Sequence, residues 1–123
     1  MRAIVIDDSR AMRAILGGIL RDSGFEITEA ANRREALERL KACDPPPRLA
    51  LLDWNMPEMN GLEFLQAVRA NRANDTMRIL MVTTESEMSQ LARALEAGAN
   101  EYVLKPFTRD VSREKLELLR IQM

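Results

Sequence analysis

The chain contains no histidine and only one cysteine, Cys43, among its 123 residues. The first absence removes Ser-His-Asp and Cys-His nucleophile systems, together with zinc sites of the usual His-containing kinds. The second excludes an internal disulfide and agrees with a reducing, cytoplasmic compartment, leaving Cys43 as a spare thiol near a helix end. Charge of one sign is lacking as well: 18 Lys and Arg stand against 19 Asp and Glu, a formal net charge of -1. Like charges form no run, so the basic footprint of a nucleic-acid binder is missing. No apolar stretch approaches the roughly 20 residues that cross a bilayer. No basic segment followed by an apolar one opens the chain, because the first strand begins almost at Met1. The expectation is a soluble protein that engages neither nucleic acid nor membrane.

What is present is a regular alternation. At 46% hydrophobic and 30% charged residues, the composition is that of a globular protein, and the length fits one domain over 1–123. Ala3-Ile4-Val5-Ile6 predicts a first strand. Met12, Ile15, Leu16, Ile19 and Leu20 follow the spacing of a buried helix face. Gly17 and Gly18 weaken that helix by roughly 1 kcal/mol each relative to Ala, which points to close packing there, and Gly24 is its stop signal. A short strand near Glu26-Ala30 precedes a helix with Ala36, Leu37 and Leu40 on one face. Pro45-Pro46-Pro47 is a connection. Leu49 to Asp53 is a strand apolar enough to be buried on both faces. Asn60 is an N-cap candidate for a helix carrying Leu62, Leu65 and Val68. After the loop Ala70-Thr76 come a strand over Ile79-Val82, a helix marked by Met88, Leu91, Ala92 and Leu95 and closed by Gly98, and a strand from Glu101 to Leu104. A last helix holds Val111, Leu116 and Leu119. Five β-α units predict an α/β fold, a parallel sheet covered on both sides.

Four of the apolar runs end in residues able to handle a phosphoryl group: Asp7-Asp8, Asp53, Thr83 and Lys105-Pro106. In one parallel sheet these ends share an edge, where open α/β sheets bind ligands. Three neighbouring carboxylates repel and call for a cation, and Mg²⁺ prefers carboxylate, water and phosphate oxygens. Asp8 and Asp53 are the candidate ligands, with Asp7 acting directly or through water. Asp53, at the end of the most buried strand, is the candidate nucleophile, since a carboxylate attacking phosphorus gives an acyl phosphate. Lys105 supplies an ammonium and Thr83 a hydroxyl for the phosphoryl oxygens. Singly, each has a plainer reading: a helix cap for Asp7-Asp8, a strand end for Thr83, a solvated side chain for Lys105. A carboxylate ending an all-apolar strand is costly unless compensated, and all four in order on successive β-α units favour the joint site.

Asp7-Asp8-Ser9, Asp53-Trp54-Asn55-Met56-Pro57, Asn60-Gly61-Leu62-Glu63, Met81-Val82-Thr83 and Tyr102-Val103-Leu104-Lys105-Pro106-Phe107 carry a resemblance. Over essentially its whole length the chain resembles the receiver domain of bacterial two-component response regulators, and more narrowly the stand-alone chemotaxis regulators of the CheY type. The resemblance implies a doubly wound, flavodoxin-like, five-stranded parallel sheet of order 2-1-3-4-5. It implies that Asp53 accepts a phosphoryl group from a histidine kinase and that Asp8, Asp53 and the backbone carbonyl of Asn55 hold Mg²⁺, with Asp7 assisting. Lys105 would pair with the phosphoryl group, and its bond to Pro106 would be cis. Thr83 and Tyr102 would form a switch that alters the face of the fourth helix, fifth strand and fifth helix. Asn55 and Glu85 would tune the acyl-phosphate lifetime, and their residue types imply a short one.

Departures from the family pattern are Thr84, where a smaller residue is common and access to Asp53 is narrowed, and Arg33, at a helix start where many receivers carry glycine. Neither is expected to touch the chemistry. The eight methionines, Met56, Met59 and Met88 among them, read mostly as core filling. The partners implied are a sensor kinase as phosphodonor and a flagellar switch protein or another phospho-dependent target, with the chain itself a monomer. It is expected to be no enzyme beyond its own phosphorylation and dephosphorylation. The alternatives are a single-domain regulator in a phosphorelay outside motility and a receiver separated from a DNA-binding effector. An Asp-x-Asp phosphohydrolase fits worse, because Asp7 and Asp8 are adjacent and no cap insertion encloses a substrate.

Overall fold

A computed structural model describes residues 1–43, 45–54, 61–84 and 90–119. The elements run β1 (Arg2–Ile6), α1 (Arg10–Asp22), β2 (Glu26–Ala30), α2 (Arg33–Ala42), β3 (Leu49–Asp53), α3 (Gly61–Ala70), β4 (Arg78–Thr83), α4 (Leu91–Ala97), β5 (Glu101–Leu104) and α5 (Arg109–Leu118), with a 3₁₀ turn at Arg72–Asn74 inside the loop before β4. All strand pairs are parallel, and the order is β2-β1-β3-β4-β5. The fold is therefore α/β and doubly wound. Parallel strands force each connection across a face of the sheet, which the helices then cover.

Alternation along the strands sorts the core into two layers. Ile4, Ile6, Ala50, Leu52, Ile79 and Met81 pack with Ala36, Leu40, Phe64, Leu65, Val68 and Ala94 of α2, α3 and α4. Ala3, Val5, Leu49, Leu51, Leu80 and Val82 pack with Leu16, Ile19 and Leu20 of α1 and Leu116 of α5. Every residue of β3 is buried, as expected of a central strand covered on both faces. Among the described residues no helix is long and apolar enough to cross a membrane.

Polar side chains start the helices. Ser9, Asn32 and Thr108 accept from the backbone N–H groups of Met12, Glu35 and Val111, satisfying donors that the first turn leaves unpaired. Ser9 rather than either aspartate caps α1, which frees Asp7 and Asp8 from the helix-cap reading. Gly24 (φ 95°) and Gly98 (φ 121°) follow α1 and α4 in the left-handed region, where an L side chain is strained.

Three packing expectations are overturned. Ile15 is 54% exposed, because it lies about 100° around the helix from Leu16, the centre of the buried stripe. On α4, Ala92 and Leu95 are exposed and Ala94 is buried, since the sheet meets the other side of this short helix. Close packing does not account for both glycines of α1: a Cβ on Gly17 would meet Ile27 at an ordinary 3.5 Å, and one on Gly18 would meet nothing within 4 Å. Cys43 is the C-cap residue of α2 and its thiol is free.

Candidate functional site

The parallel register assembles the acidic residues. Ile6 of β1 lies beside Leu52 of β3, so the next residues, Asp7 and Asp53, leave the sheet at the same level on adjacent strands. Carboxylate oxygens of Asp7, Asp8 and Asp53 come within 4.8 Å of one another. Asp7 is 1% and Asp53 4% exposed, whereas Asp8 faces solvent. Lys105 begins the turn after β5, where its N–H donates to the Thr83 carbonyl at 2.9 Å. Its long stem carries Nζ past β4 to 3.2 Å from Asp53 Oδ1. The Lys105–Pro106 peptide is cis.

Asp7 is the most deeply buried member of the group. Its Oδ1 accepts the Ser9 N–H at 2.8 Å, while Oδ2 is buried with no hydrogen-bond partner among the described residues. Burial pushes its pKa above the ordinary value; the Ser9 bond opposes this, the charges of Asp53 and Asp8 add to it, and Lys105 counters them. Arg13 in the first turn of α1 braces the backbone here: Nη1 donates to the Asp7 carbonyl at 2.7 Å and Nε to Glu29 Oε1 at 3.1 Å.

Thr83 ends β4 beside this group and is buried. Its hydroxyl donates to the Thr84 carbonyl at 3.3 Å. Tyr102, half-buried on β5, packs on the layer of α2, α3 and α4, with Lys115 Nζ 5.0 Å from its ring centroid. Asn55 and Glu85 lie outside the described residues, as do Met56, Met59, Asn60 and Met88.

Sequence reasoning missed the surroundings of Trp54, Arg33 among them. Arg33 is 2% exposed, and its Nη2 donates at 2.8 Å to the carbonyl of Trp54, the residue after Asp53. The Trp54 indole N–H donates to Gln90 Oε1 at 2.6 Å. Its ring lies so close to Gly61 that a Cβ there would sit 2.5 Å from Cζ3. An arginine at the first position of a helix, where the dipole disfavours a cation, was the one available hint of a special contact.

Buried and exposed carboxylates around one point form a hard-oxygen donor set, so the cluster can hold a divalent cation. The unpartnered Asp7 Oδ2 fits that use, because a buried anionic oxygen without a partner is costly. The response regulator receiver domain family matches residues 3–117. The chain is 42% identical over 120 residues to the chemotaxis protein CheY1 of Helicobacter pylori, covering 97% of this chain and 96% of that protein. It is 42% identical over 118 residues to the chemotaxis protein CheY of Pseudomonas aeruginosa, covering 95% and 94%. The solved structure of the chemotaxis response regulator CheY4 of Vibrio cholerae superposes with a TM-score of 0.86 at 31% identity, covering 96% of this chain and 97% of that one. An acid cluster at the carboxyl edge of a 2-1-3-4-5 sheet, a lysine reaching its central aspartate and these likenesses agree: the chain belongs to the response regulator receiver domain family, close to the chemotaxis CheY proteins.

Proposed function

We propose that the chain is a phosphoacceptor switch of a two-component system, with Asp53 as the acceptor. The observation that carries this reading is the convergence of the Asp7, Asp8 and Asp53 carboxylates within 4.8 Å, with Lys105 Nζ 3.2 Å from Asp53 Oδ1. An Asp53 carboxylate oxygen attacks the phosphorus of a phosphohistidine on the donor kinase. The new O–P bond forms as the P–N bond breaks, and the departing imidazole takes a proton from water. The donor supplies the histidine that this chain lacks. Lys105 pairs with the incoming phosphoryl oxygens, and the Thr83 hydroxyl turns from the Thr84 carbonyl to donate to one of them. Asp8 and Asp53, with Asp7 assisting, would hold Mg²⁺, and the family resemblance adds the backbone carbonyl of Asn55, which lies outside the described residues. Bound there, Mg²⁺ would supply positive charge to the phosphoryl oxygens, most of what phosphoryl transfer asks of a protein.

In the same reading, movement of Thr83 draws Tyr102 inward and changes the surface of α4, β5 and α5. A shift between two such states from 1:99 to 99:1 takes about 5.5 kcal/mol of differential binding. The relatives named as chemotaxis proteins support motility control as the pathway; in this reading the target is a flagellar switch protein and the location the cytoplasm. Asn55 and Glu85 adjust a short acyl-phosphate lifetime. The test follows Trp54 fluorescence while Mg²⁺ and then a small acyl phosphate are added. A metal-dependent change and a second, reversible donor-dependent change absent from Asp53→Asn are expected. An unaltered donor response in Asp53→Asn would refute the assignment. Phosphorylation-dependent retention on a flagellar switch peptide tests the pathway, and equal retention with and without phosphorylation would remove it.

A further inference from the structure

Arg33 holds a position that is unfavourable on its own terms. A guanidinium in the first turn of a helix meets the positive end of the helix dipole, and burial strips its water. Arg33 is both the first residue of α2 and 2% exposed. Something specific must offset this, and the described bond is to the carbonyl of Trp54 at 2.8 Å. That carbonyl belongs to the residue that follows Asp53, so the bond fixes the backbone directly after the acceptor strand.

Trp54 is then held from several sides. Its N–H donates to the Val82 carbonyl of β4 at 3.1 Å, its carbonyl takes Arg33, and its indole N–H reaches Gln90 at 2.6 Å. The ring rests where Gly61 has no Cβ. Gln90 is the N-cap residue of α4, yet its side chain makes no capping bond; its amide oxygen serves the indole instead. A displacement of the backbone at Asp53 therefore reaches the head of α4 through one residue.

We propose that Arg33 is a positioning residue, which holds the carbonyl of Trp54, the residue after Asp53, and keeps the Trp54 indole on Gln90, so that α4 follows the state of the acid cluster through this Arg33–Trp54–Gln90 tie. The link to the acid cluster rests on the phosphoacceptor reading of Asp53; the tie itself does not.

The experiment uses the full chain and its only tryptophan. Trp54 emission and acrylamide quenching are measured without metal or donor in wild type, Arg33→Met, Arg33→Lys, Gln90→Leu and the Arg33→Lys/Gln90→Leu pair. Leu40→Ala serves as an α2 core variant of lowered stability. Arg33→Met and Gln90→Leu are expected to red-shift the emission and raise quenching in the same way, with Arg33→Lys closer to wild type. The paired variant should show less than the sum of the single effects. Leu40→Ala should leave the emission in place. With Mg²⁺ and a small acyl phosphate, Arg33→Met should react about tenfold more slowly, the factor carried by one charge-assisted hydrogen bond. Should Arg33→Met not fold, Gln90→Leu, Arg33→Lys and their pair decide the matter. Spectra unchanged in the Arg33 variants, additive effects in the pair, or the same shift in Leu40→Ala would each overturn the tie. An unaltered donor rate in a spectrally shifted Arg33→Met would overturn its link to Asp53. A wild-type protein inert to the donor overturns the phosphoacceptor reading and that link together, while the metal-free spectra still judge the tie.

Discussion

Removing one charge from the acid cluster should stabilise the metal-free protein. In Asp7→Asn the side-chain oxygen still accepts the Ser9 N–H, a 2.8 Å bond in the native protein. The new amide nitrogen occupies the place of Oδ2, the buried oxygen without a partner, and can donate to a neighbouring carboxylate. Two like charges at the 4.8 Å limit of this cluster repel by about 3 kcal/mol at an effective dielectric of about 20. Lys105 offsets part of this, and the exposure of Asp8 screens its share. A net gain of about 1–3 kcal/mol remains, which for a domain of this size raises Tm by about 4–12 °C. The pH dependence follows from the raised pKa of Asp7, caused first by burial. A raised native value means that folding favours the protonated carboxyl. The stability linked to that proton is complete below the unfolded value of about 3.9 and is lost as pH rises through the native value. Asparagine mimics the protonated form at every pH, so its advantage should be full near pH 7–8 and shrink towards pH 4. Thermal unfolding in EDTA across that range measures it, and saturating Mg²⁺ should close the gap by stabilising wild type more. A lower Tm for Asp7→Asn at neutral pH in EDTA, or a gap independent of pH, would refute the reasoning.

Three further outcomes follow from packing. Gly18→Ala should raise stability by about 0.5–1 kcal/mol, since the new methyl meets nothing within 4 Å and the unfolded chain loses entropy; thermal unfolding reads it. Gly61→Ala should cost about 1–3 kcal/mol through overpacking, because its Cβ would press within 2.5 Å of the Trp54 ring, and Trp54 emission should shift with it. Arg69→Met should cost about 2–4 kcal/mol by leaving the carbonyls of Gly98 and Asn74 and the Asn100 amide oxygen without their guanidinium. Hydrogen exchange should then rise first around Gly98 and Asn100.

Much of this protein was legible before folding was considered. Four apolar runs, one shorter mixed strand at Glu26–Ala30 and the amphipathic stretches between them carry the α/β alternation, because a strand buried on both faces must be apolar throughout and a helix on a sheet must be apolar on one stripe. Strand ends at Asp7, Asp53, Thr83 and Lys105 marked the site, since polar residues terminate such runs only at the sheet edge. Periodicity failed where one turn of helix decides the face, as at Ile15 and at Ala92 against Ala94 on α4. It could not tell which glycine of α1 touches a neighbour either.

The amino-acid sequence alone placed the acidic residues at the ends of the first and third strands, for this depends on local pattern and chain order; that the two strands are neighbours follows from the sheet order. Only the tertiary structure decided that Asp7 keeps one buried oxygen unpartnered, that Lys105 spans β4 to reach Asp53, and that Arg33 and Gln90 converge on Trp54. These contacts join residues 21 to 52 positions apart. No local propensity encodes them: they arise from strand register and the desolvation of groups that the chain brings together only when the sheet has closed over them.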